Sequence, residues 1–195
     1  MLVINKDEYV DRAEIIREKG TNRAAFFRGL VDKYGWVDIG SSFLPSDITA
    51  AILYAQISNI NRIQGKRKLL WRKYFYELSD LVLQGYFQIP EIPEYATNNA
   101  HMFSIIVANT SERSALIEHL AKHEIQAVFH YQSLHRSSFF EGKHDGRELK
   151  YADIYSNQLL RLPMYYEMTE DMIEIVASTI KKFYLNQMNQ KNIRE

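Results

Sequence analysis

The stretch WVDIGSSFLPSD, residues 36–47, is the most specific segment of this chain. It lies between two helical patterns, and it is too particular in composition to be a generic linker. Gly40-Ser41-Ser42 predicts a flexible turn rich in hydroxyl groups, placed directly before a helix. Ser46 is suited to the N-cap of that helix, and Asp47 puts a carboxylate into its first turn.

Helical periodicity flanks this stretch on both sides. Residues 8–19 carry apolar side chains at helical spacing, and Gly20 follows them as a typical helix stop. Residues 46–83 form a second, longer helical pattern, which Gly65 is expected to bend or divide. Residues 21–45 have no clear period, and a segment of this length predicts a functional loop or an interface arm.

The rest of the chain alternates between strand and helix patterns, and this order is typical of a small α/β sandwich. Residues 85–95 contain Pro90 and Pro93 and predict a connector between domains. Ser111 is expected to cap the helix after the first of these strands. The predicted strands are residues 2–4, 101–107, 125–129 and 160–164, and the predicted helices are residues 111–123, 149–159 and 169–185, the last opened by Thr169.

The composition excludes several classes of function. The 195 residues include 24 basic and 24 acidic side chains, so no net charge draws the chain to nucleic acid or to an anionic membrane. Cysteine is absent, which excludes disulfides, thiolate metal sites and a cysteine nucleophile. The chain shows neither the apolar run of a signal peptide nor a stretch of transmembrane length, so we expect a cytoplasmic location.

A polar loop with several histidines follows the predicted strand 125–129. His130, Tyr131 and His135 lie at its start, and loops after strands commonly carry functional side chains. Two interpretations remain open at this point. These side chains contact a ligand, or they hydrogen-bond and pack within their own loop.

A metal-dependent hydrolase is a further interpretation of the same loop. His130, His135 and His144 offer three imidazoles, and Glu141 and Asp145 lie beside the last of them. Zinc sites place their ligands at characteristic spacings on a rigid frame, and the spacing here matches no such motif. We therefore predict no metal site.

Three segments together resemble a known family. They are residues 36–56, residues 14–23 (EIIREKGTNR) and residues 129–135 (FHYQSLH). The chain resembles the DegT/StrS family of sugar aminotransferases, which use pyridoxal phosphate (PLP). The resemblance extends from Met1 to about Tyr184 and matches only the later part of such an enzyme.

The resemblance implies the C-terminal part of a fold-type I PLP-dependent transferase, an α/β fold. Residues 1–45 would be a remnant of the large PLP-binding domain and its active-site loop. Residues 46–84 would form a long interdomain helix, and residues 85–195 a small C-terminal α/β domain. Family members are commonly symmetric dimers with active sites at the subunit interface, so a homodimer is expected.

The resemblance also implies roles for particular side chains. Ser41 and Ser42 would donate to the cofactor phosphate, at a place where many family members have an asparagine. A hydroxyl can make the same donation. The residues that would contact the sugar nucleotide are Asn22, Arg23, Trp36, His130, Tyr131 and His135.

The implied activity is transfer of an amino group from glutamate to a 4-keto-6-deoxy sugar carried on dTDP, for surface polysaccharide synthesis in bacteria. In the family, the Schiff-base lysine and the carboxylate that holds the pyridinium nitrogen lie before the segment that matches residues 1–5. No lysine of this chain has the family context. We therefore expect this chain alone to be inactive and not to bind PLP stably. The alternative is a non-catalytic α/β module that binds a partner or self-associates through exposed core surface.

Overall fold

The computed structural model describes residues 2–192, with side chains described through Asn186. The chain divides into two compact units, Met1–Asn59 and Ile60–Glu195. Helices and strands both occur, so the predicted α/β class is confirmed. The division into parts at residues 45 and 84 stays a prediction.

The described part of the first unit consists of helices and loops. A 3₁₀ turn at Asp7–Tyr9 leads into α1 (Val10–Arg17), and α2 (Arg23–Phe27) follows a short loop. Residues 2–4 form no strand, so that prediction is wrong. The apolar run has no neighbouring strand to pair with in the described part of the unit, and a strand requires ladder partners.

The long helix predicted over residues 46–83 is two helices, α3 (Asp47–Ser58) and α4 (Ile60–Leu83). The break falls at Asn59, whose amide Nδ2 donates to the carbonyl of Ala55 at 2.9 Å. Asparagine competes with the backbone for such hydrogen bonds and so favours helix ends. Gly65 lies inside α4, so the prediction that it divides the helix is wrong.

Predicted helix caps are confirmed at two places and wrong at a third. The Ser46 hydroxyl accepts a hydrogen bond from the backbone N–H of Thr49 at 3.3 Å, and the Thr169 hydroxyl likewise accepts from Met172 at 3.3 Å. Ser111 does not cap its helix. Asn109 does so instead, because its side chain stands one residue ahead of the first helical residue.

The second unit is built on a four-stranded antiparallel sheet with the order β1-β2-β4-β3. Strands β2 and β3 run parallel to each other on either side of β4, and a helix joins them, which is a split β-α-β unit. The strands are β1 (Phe87–Gln88), β2 (Phe103–Val107), β3 (Val128–Phe129) and β4 (Leu159–Leu162), and the remaining helices are α5 (Thr110–Ala121), α6 (Lys150–Gln158) and α7 (Glu170–Asn192).

One face of this sheet carries the hydrophobic core. Alternate residues of β2 are buried and their neighbours are half-buried. Successive side chains of a strand point to opposite faces of the sheet, so one face is more deeply buried than the other. The sheet face packs against apolar residues of α4, α5 and α7. The buried side chains include Phe103, Ile105, Val107, Leu160, Leu162, Leu70, Tyr74, Leu78, Leu116, Leu120, Ile173, Ala177, Ile180 and Tyr184.

The phenol of Tyr184 is a polar group inside this core. The side chain is 2% exposed, and its hydroxyl donates to Oε1 of Glu112 at 2.7 Å. Burial raises the pKa of this phenol well above its ordinary value, so it stays a donor. For Tyr184→Phe we expect a loss of about 1 kcal/mol in the free energy of unfolding, the usual worth of one such hydrogen bond. Urea unfolding of the second unit, followed by Trp71 fluorescence, measures it.

The matched control for that measurement is Tyr95→Phe. Tyr95 is 93% exposed, so removal of its hydroxyl should leave the urea midpoint unchanged. Equal midpoints for the two variants would contradict the assigned role of the Tyr184 hydroxyl.

Candidate functional site

In the first unit, the loop that carries the Gly-Ser-Ser turn is fixed by backbone hydrogen bonds. The N–H of Ser41 donates to the carbonyl of Ile16 at 3.0 Å, and the N–H of Lys19 donates to the carbonyl of Ser41 at 3.0 Å. The N–H groups of Val37 and Asp38 both donate to the carbonyl of Gly20, at 2.9 and 3.1 Å. The loop is therefore held at both of its ends against the segment that leaves α1.

Two glycines allow the backbones to approach this closely. Gly20 has a φ of +77°, and a Cβ built there would lie 1.8 Å from the carbonyl oxygen of Asp38. A Cβ on Gly40 would lie 2.1 Å from the backbone nitrogen of Gly20. Neither position has room for a side chain, so both glycines are needed for the shape of the loop.

Side-chain contacts add to this fixation. Asp38 pairs with the guanidinium of Arg12, and its Oδ1 accepts the N–H of Ile39 at 2.6 Å.

Ser41 and Ser42 are exposed on the loop, and neither hydroxyl hydrogen-bonds to another residue of the described part. Two available hydroxyl donors on a rigid backbone suit the oxygen atoms of an anion such as phosphate.

Asn22 and Trp36 lie at the other end of this pairing between the loop and the segment after α1. The amide oxygen of Asn22 accepts the N–H of Gly35 at 2.8 Å, and the backbone of Asn22 donates to the Gly35 carbonyl at 3.2 Å. An isolated antiparallel bridge joins Thr21 to Trp36. The indole of Trp36 is left 82% exposed, which is unusual for a side chain of this size.

The guanidinium of Arg23 is held by neighbours within the unit. Its NH1 group donates to Oε1 of Glu18 at 3.0 Å, and its Cζ lies 5.2 Å from the ring centroid of Phe27 and 5.9 Å from that of Tyr34. The Nε atom is buried and has no hydrogen-bond partner in the described part of the chain. An anion that bound here would therefore share the guanidinium with Glu18.

In the second unit, His130 and Tyr131 follow directly after β3. Their ring centroids lie 5.3 Å apart, and Tyr131 is 84% exposed. The end of β3 is tied to two helices, because the Arg113 guanidinium of α5 lies 5.2 Å from the Phe129 ring and donates to the Ser156 carbonyl of α6 at 2.6 Å. His130 and Tyr131 thus project from an anchored strand end.

His135 faces the interior of its own loop. The carboxylate of Asp153 in α6 binds this part of the loop. It accepts hydrogen bonds from the Ser133 hydroxyl at 3.0 Å and from the Arg136 NH2 group at 2.9 Å. Nε2 of His135 also lies 3.0 Å from Oδ1 of Asp153, without the alignment of a hydrogen bond. Arg136, and then the other donors, lower the pKa of Asp153 to about 2.

A second imidazole packs beside the first. The ring centroids of His135 and His144 lie 5.3 Å apart, and Nδ1 of His144 accepts the N–H of Gly146 at 3.1 Å. Both rings line a shallow cavity of about 450 Å³. Within residues 2–192, no group of three or more side chains from His, Cys, Asp and Glu is placed to hold a metal ion.

The structure thus brings the predicted site residues together only in part. In the first unit, Asn22, Arg23 and Trp36 lie at the Thr21 end of the pairing between the loop and the segment after α1, and Ser41 and Ser42 lie at its Glu18 end. In the second unit, His130 and Tyr131 contact each other, while His135 contacts Asp153. Sequence reasoning did not predict the supporting contacts made by Glu18, Gly20, Asp38, Gly40, Arg113 and Asp153.

The fold is of the α/β class, and its first unit carries a rigidly held Gly-Ser-Ser loop at residues 36–43, named here the pinned loop. Residues 1–181 match the model of the DegT/DnrJ/EryC1/StrS aminotransferase family. The chain therefore belongs to this family, whose members are PLP-dependent aminotransferases.

Several solved structures share the fold. DesV from S. venezuelae superimposes with a TM-score of 0.79 at 20% identity, covering 93% of this chain and 45% of its own. TlmJ from Streptoalloteichus hindustanus gives 0.78 at 17% identity, covering 94% and 47%. A family member from Brucella abortus gives 0.72 at 23% identity, covering 92% and 44%. The chain spans less than half the length of these structures, so its fold is a partial fold-type I fold.

The residues present fit one portion of the PLP cofactor. The exposed hydroxyls of Ser41 and Ser42 suit a phosphate group, as their fixed loop keeps both donors in place.

No helix in the described part of the chain is both long and apolar enough to cross a membrane.

Proposed function

We propose that this chain is the C-terminal part of a nucleotide-sugar aminotransferase, closest to the enzyme that makes dTDP-4-amino-4,6-dideoxygalactose. It would take the amino group from glutamate and act on a dTDP-linked 4-keto-6-deoxy sugar, in the cytoplasm and for surface polysaccharide. The observation that carries the proposal is the pinned loop with Ser41 and Ser42, in a chain of this family.

In this proposal each group of residues has its own part. Ser41 and Ser42 donate to the cofactor phosphate from a loop that cannot shift easily. PLP supplies the electron sink for amino transfer when it is bound. The residues that contact the sugar nucleotide are Asn22, Arg23, Trp36, His130, Tyr131 and His135.

Within the proposal, the chain alone does not catalyse the reaction, because it lacks a suitable lysine. An amine attacks a carbonyl group only when it is unprotonated. Lys73 of α4 forms ion pairs with Glu174 and Glu77, and its Nζ lies 3.0 Å from Oε1 of Glu77. Both carboxylates raise the pKa of Lys73 above the ordinary value. Its protonated ammonium group is therefore not a nucleophile, and no other lysine of this chain lies in the family context of the Schiff-base lysine.

The alternative function is a non-catalytic module that associates through apolar surface. Helix α3 carries Asp47 as its one charged residue, and Ile48, Ile52 and Tyr54 are 75%, 61% and 74% exposed on it. Large apolar patches of this kind favour association. Light scattering tests this function, since a clean monomer at high concentration would contradict self-association.

The test of the main proposal compares two proteins. One is this chain, and the other is the chain extended through whatever coding sequence precedes Met1 in frame. Both receive PLP, glutamate and dTDP-4-keto-6-deoxyglucose, and formation of the amino sugar is followed by mass spectrometry. We expect product from the extended protein alone. Product from this chain would overturn its assigned inactivity, and an extension with a suitable lysine but no product would overturn the substrate assignment.

A further inference from the structure

A second cavity lies at the open edge of the sheet, and its lining includes none of the candidate site residues. It has a volume of about 580 Å³ and is formed by the turn before β1, the end of β2 and one side of α6. This volume is within the range of small-molecule sites. Its lining residues include Tyr86, Phe87, Gln88, Tyr151, Tyr155 and Gln158, and of these Phe87 is only 3% exposed.

One wall of this cavity is rigid. The ring of Tyr86 packs on Tyr184 with centroids 4.7 Å apart, and Phe87 packs on the same ring at 5.8 Å. Tyr184 is itself buried in the core and donates to Glu112. Because the supporting ring is fixed, a ligand that stacked here would not have to order the wall first.

The other wall comes from one face of α6. Tyr151 and Tyr155 are four residues apart and therefore lie on the same side of that helix. They are 72% and 44% exposed, so their rings are accessible. The amides of Gln88 and Gln158 complete the lining, and neither hydrogen-bonds to another residue in the described part of the chain.

The lining contains aromatic rings, hydroxyls and amides, and among the described residues it contains no charged side chain. We propose that this cavity, named here the tyrosine cavity, binds a neutral pyranose ring, either as a free glycoside or as one residue of a glycan. The C–H face of such a ring packs on aromatic surfaces, and its hydroxyls match amide and phenol groups, which both donate and accept. A phosphorylated sugar would lose solvation without gaining a cation.

This site goes beyond the proposed function, since the dTDP-sugar carries a diphosphate that the tyrosine cavity cannot match. The probe is methyl β-D-glucopyranoside, whose equatorial substituents leave both faces flat. Saturation-transfer NMR on the full chain should show transfer to its ring protons. Cellotriose distinguishes a glycan from a free glycoside as the ligand. If the cavity binds one residue of a glycan, saturation should be stronger on one ring of cellotriose than on the others. If the cavity binds free glycosides only, cellotriose should show no saturation transfer.

The variant is Tyr151→Ala with Tyr155→Ala, and the matched control is Tyr76→Ala, a helical tyrosine that is 75% exposed outside the cavity. We expect the double variant to lose at least four-fifths of the transfer signal and the control to keep it. Equal signals for the two variants, no signal for the original chain, or a stronger signal for glucose 1-phosphate would each overturn the proposal.

Discussion

Replacement of Gly40 by alanine is expected to destabilise the pinned loop by about 3 kcal/mol, because the new Cβ overlaps backbone atoms that cannot move aside. The nearest of them are the nitrogen and Cα of Gly20, at 2.1 and 2.8 Å, and the carbonyl oxygen of Ile16, at 2.8 Å. Amide exchange followed by mass spectrometry measures the effect. Peptides that contain Ser41 and Phe43 should exchange roughly a hundredfold faster.

Gly35→Ala is the matched control for that substitution. Gly35 lies in the same loop region, and a Cβ built there meets nothing within 4 Å. We expect its exchange rates to stay close to those of the original chain, within about 0.5 kcal/mol in free energy. If both variants exchanged alike, the close approach of Gly20 and Gly40 would not be what fixes the loop.

Asp153→Asn is expected to have the second largest effect, on the loop that follows β3. The neutral amide keeps the shape of the side chain but loses the charge that attracts the Arg136 guanidinium. The amides of Ser133 and Arg136 should then exchange roughly tenfold faster, since charge-assisted hydrogen bonds are the stronger ones. Asp145→Asn is the control, because that carboxylate is 62% exposed.

The same carboxylate gives the loop a dependence on pH with a defined sign. The pKa of Asp153 in the folded chain is about 2, below its ordinary value. Its stabilisation is therefore complete above the ordinary pKa of about 4 and is lost as the pH falls through about 2. Loop protection should decrease over this range in the original chain and not in Asp153→Asn. An equal decrease in both would assign the titration to another group.

The sequence predicted the elements that depend on local signals. The Ser46 and Thr169 caps, and the end of α1 near Gly20, follow from side chains within one turn of the helix ends. The break at Asn59 was missed because glycine is the stronger helix-breaking residue, and the break was therefore predicted at Gly65. A single glycine costs only about 1 kcal/mol inside a helix, and α4 tolerates it.

The site was predicted less completely, and the reason is distance along the chain. Ser41 and Ser42 were named from the turn and the family resemblance, and their contact with a cofactor phosphate stays a prediction. The contact between Gly20 and Gly40 joins residues in different helical and loop patterns, and periodicity carries no signal for it. Asp153 is likewise 17 residues from Arg136, and only the folded chain shows that they pair.

The most direct test of the central claim asks whether any lysine of this chain forms a covalent bond with PLP. The chain is incubated with PLP, reduced with borohydride and digested, and the labelled peptides are quantified by mass spectrometry. We expect only scattered labelling well below one equivalent, because we propose that the catalytic lysine is not among the lysines of this chain. One lysine labelled to a full equivalent, together with amino transfer from glutamate, would contradict the claim.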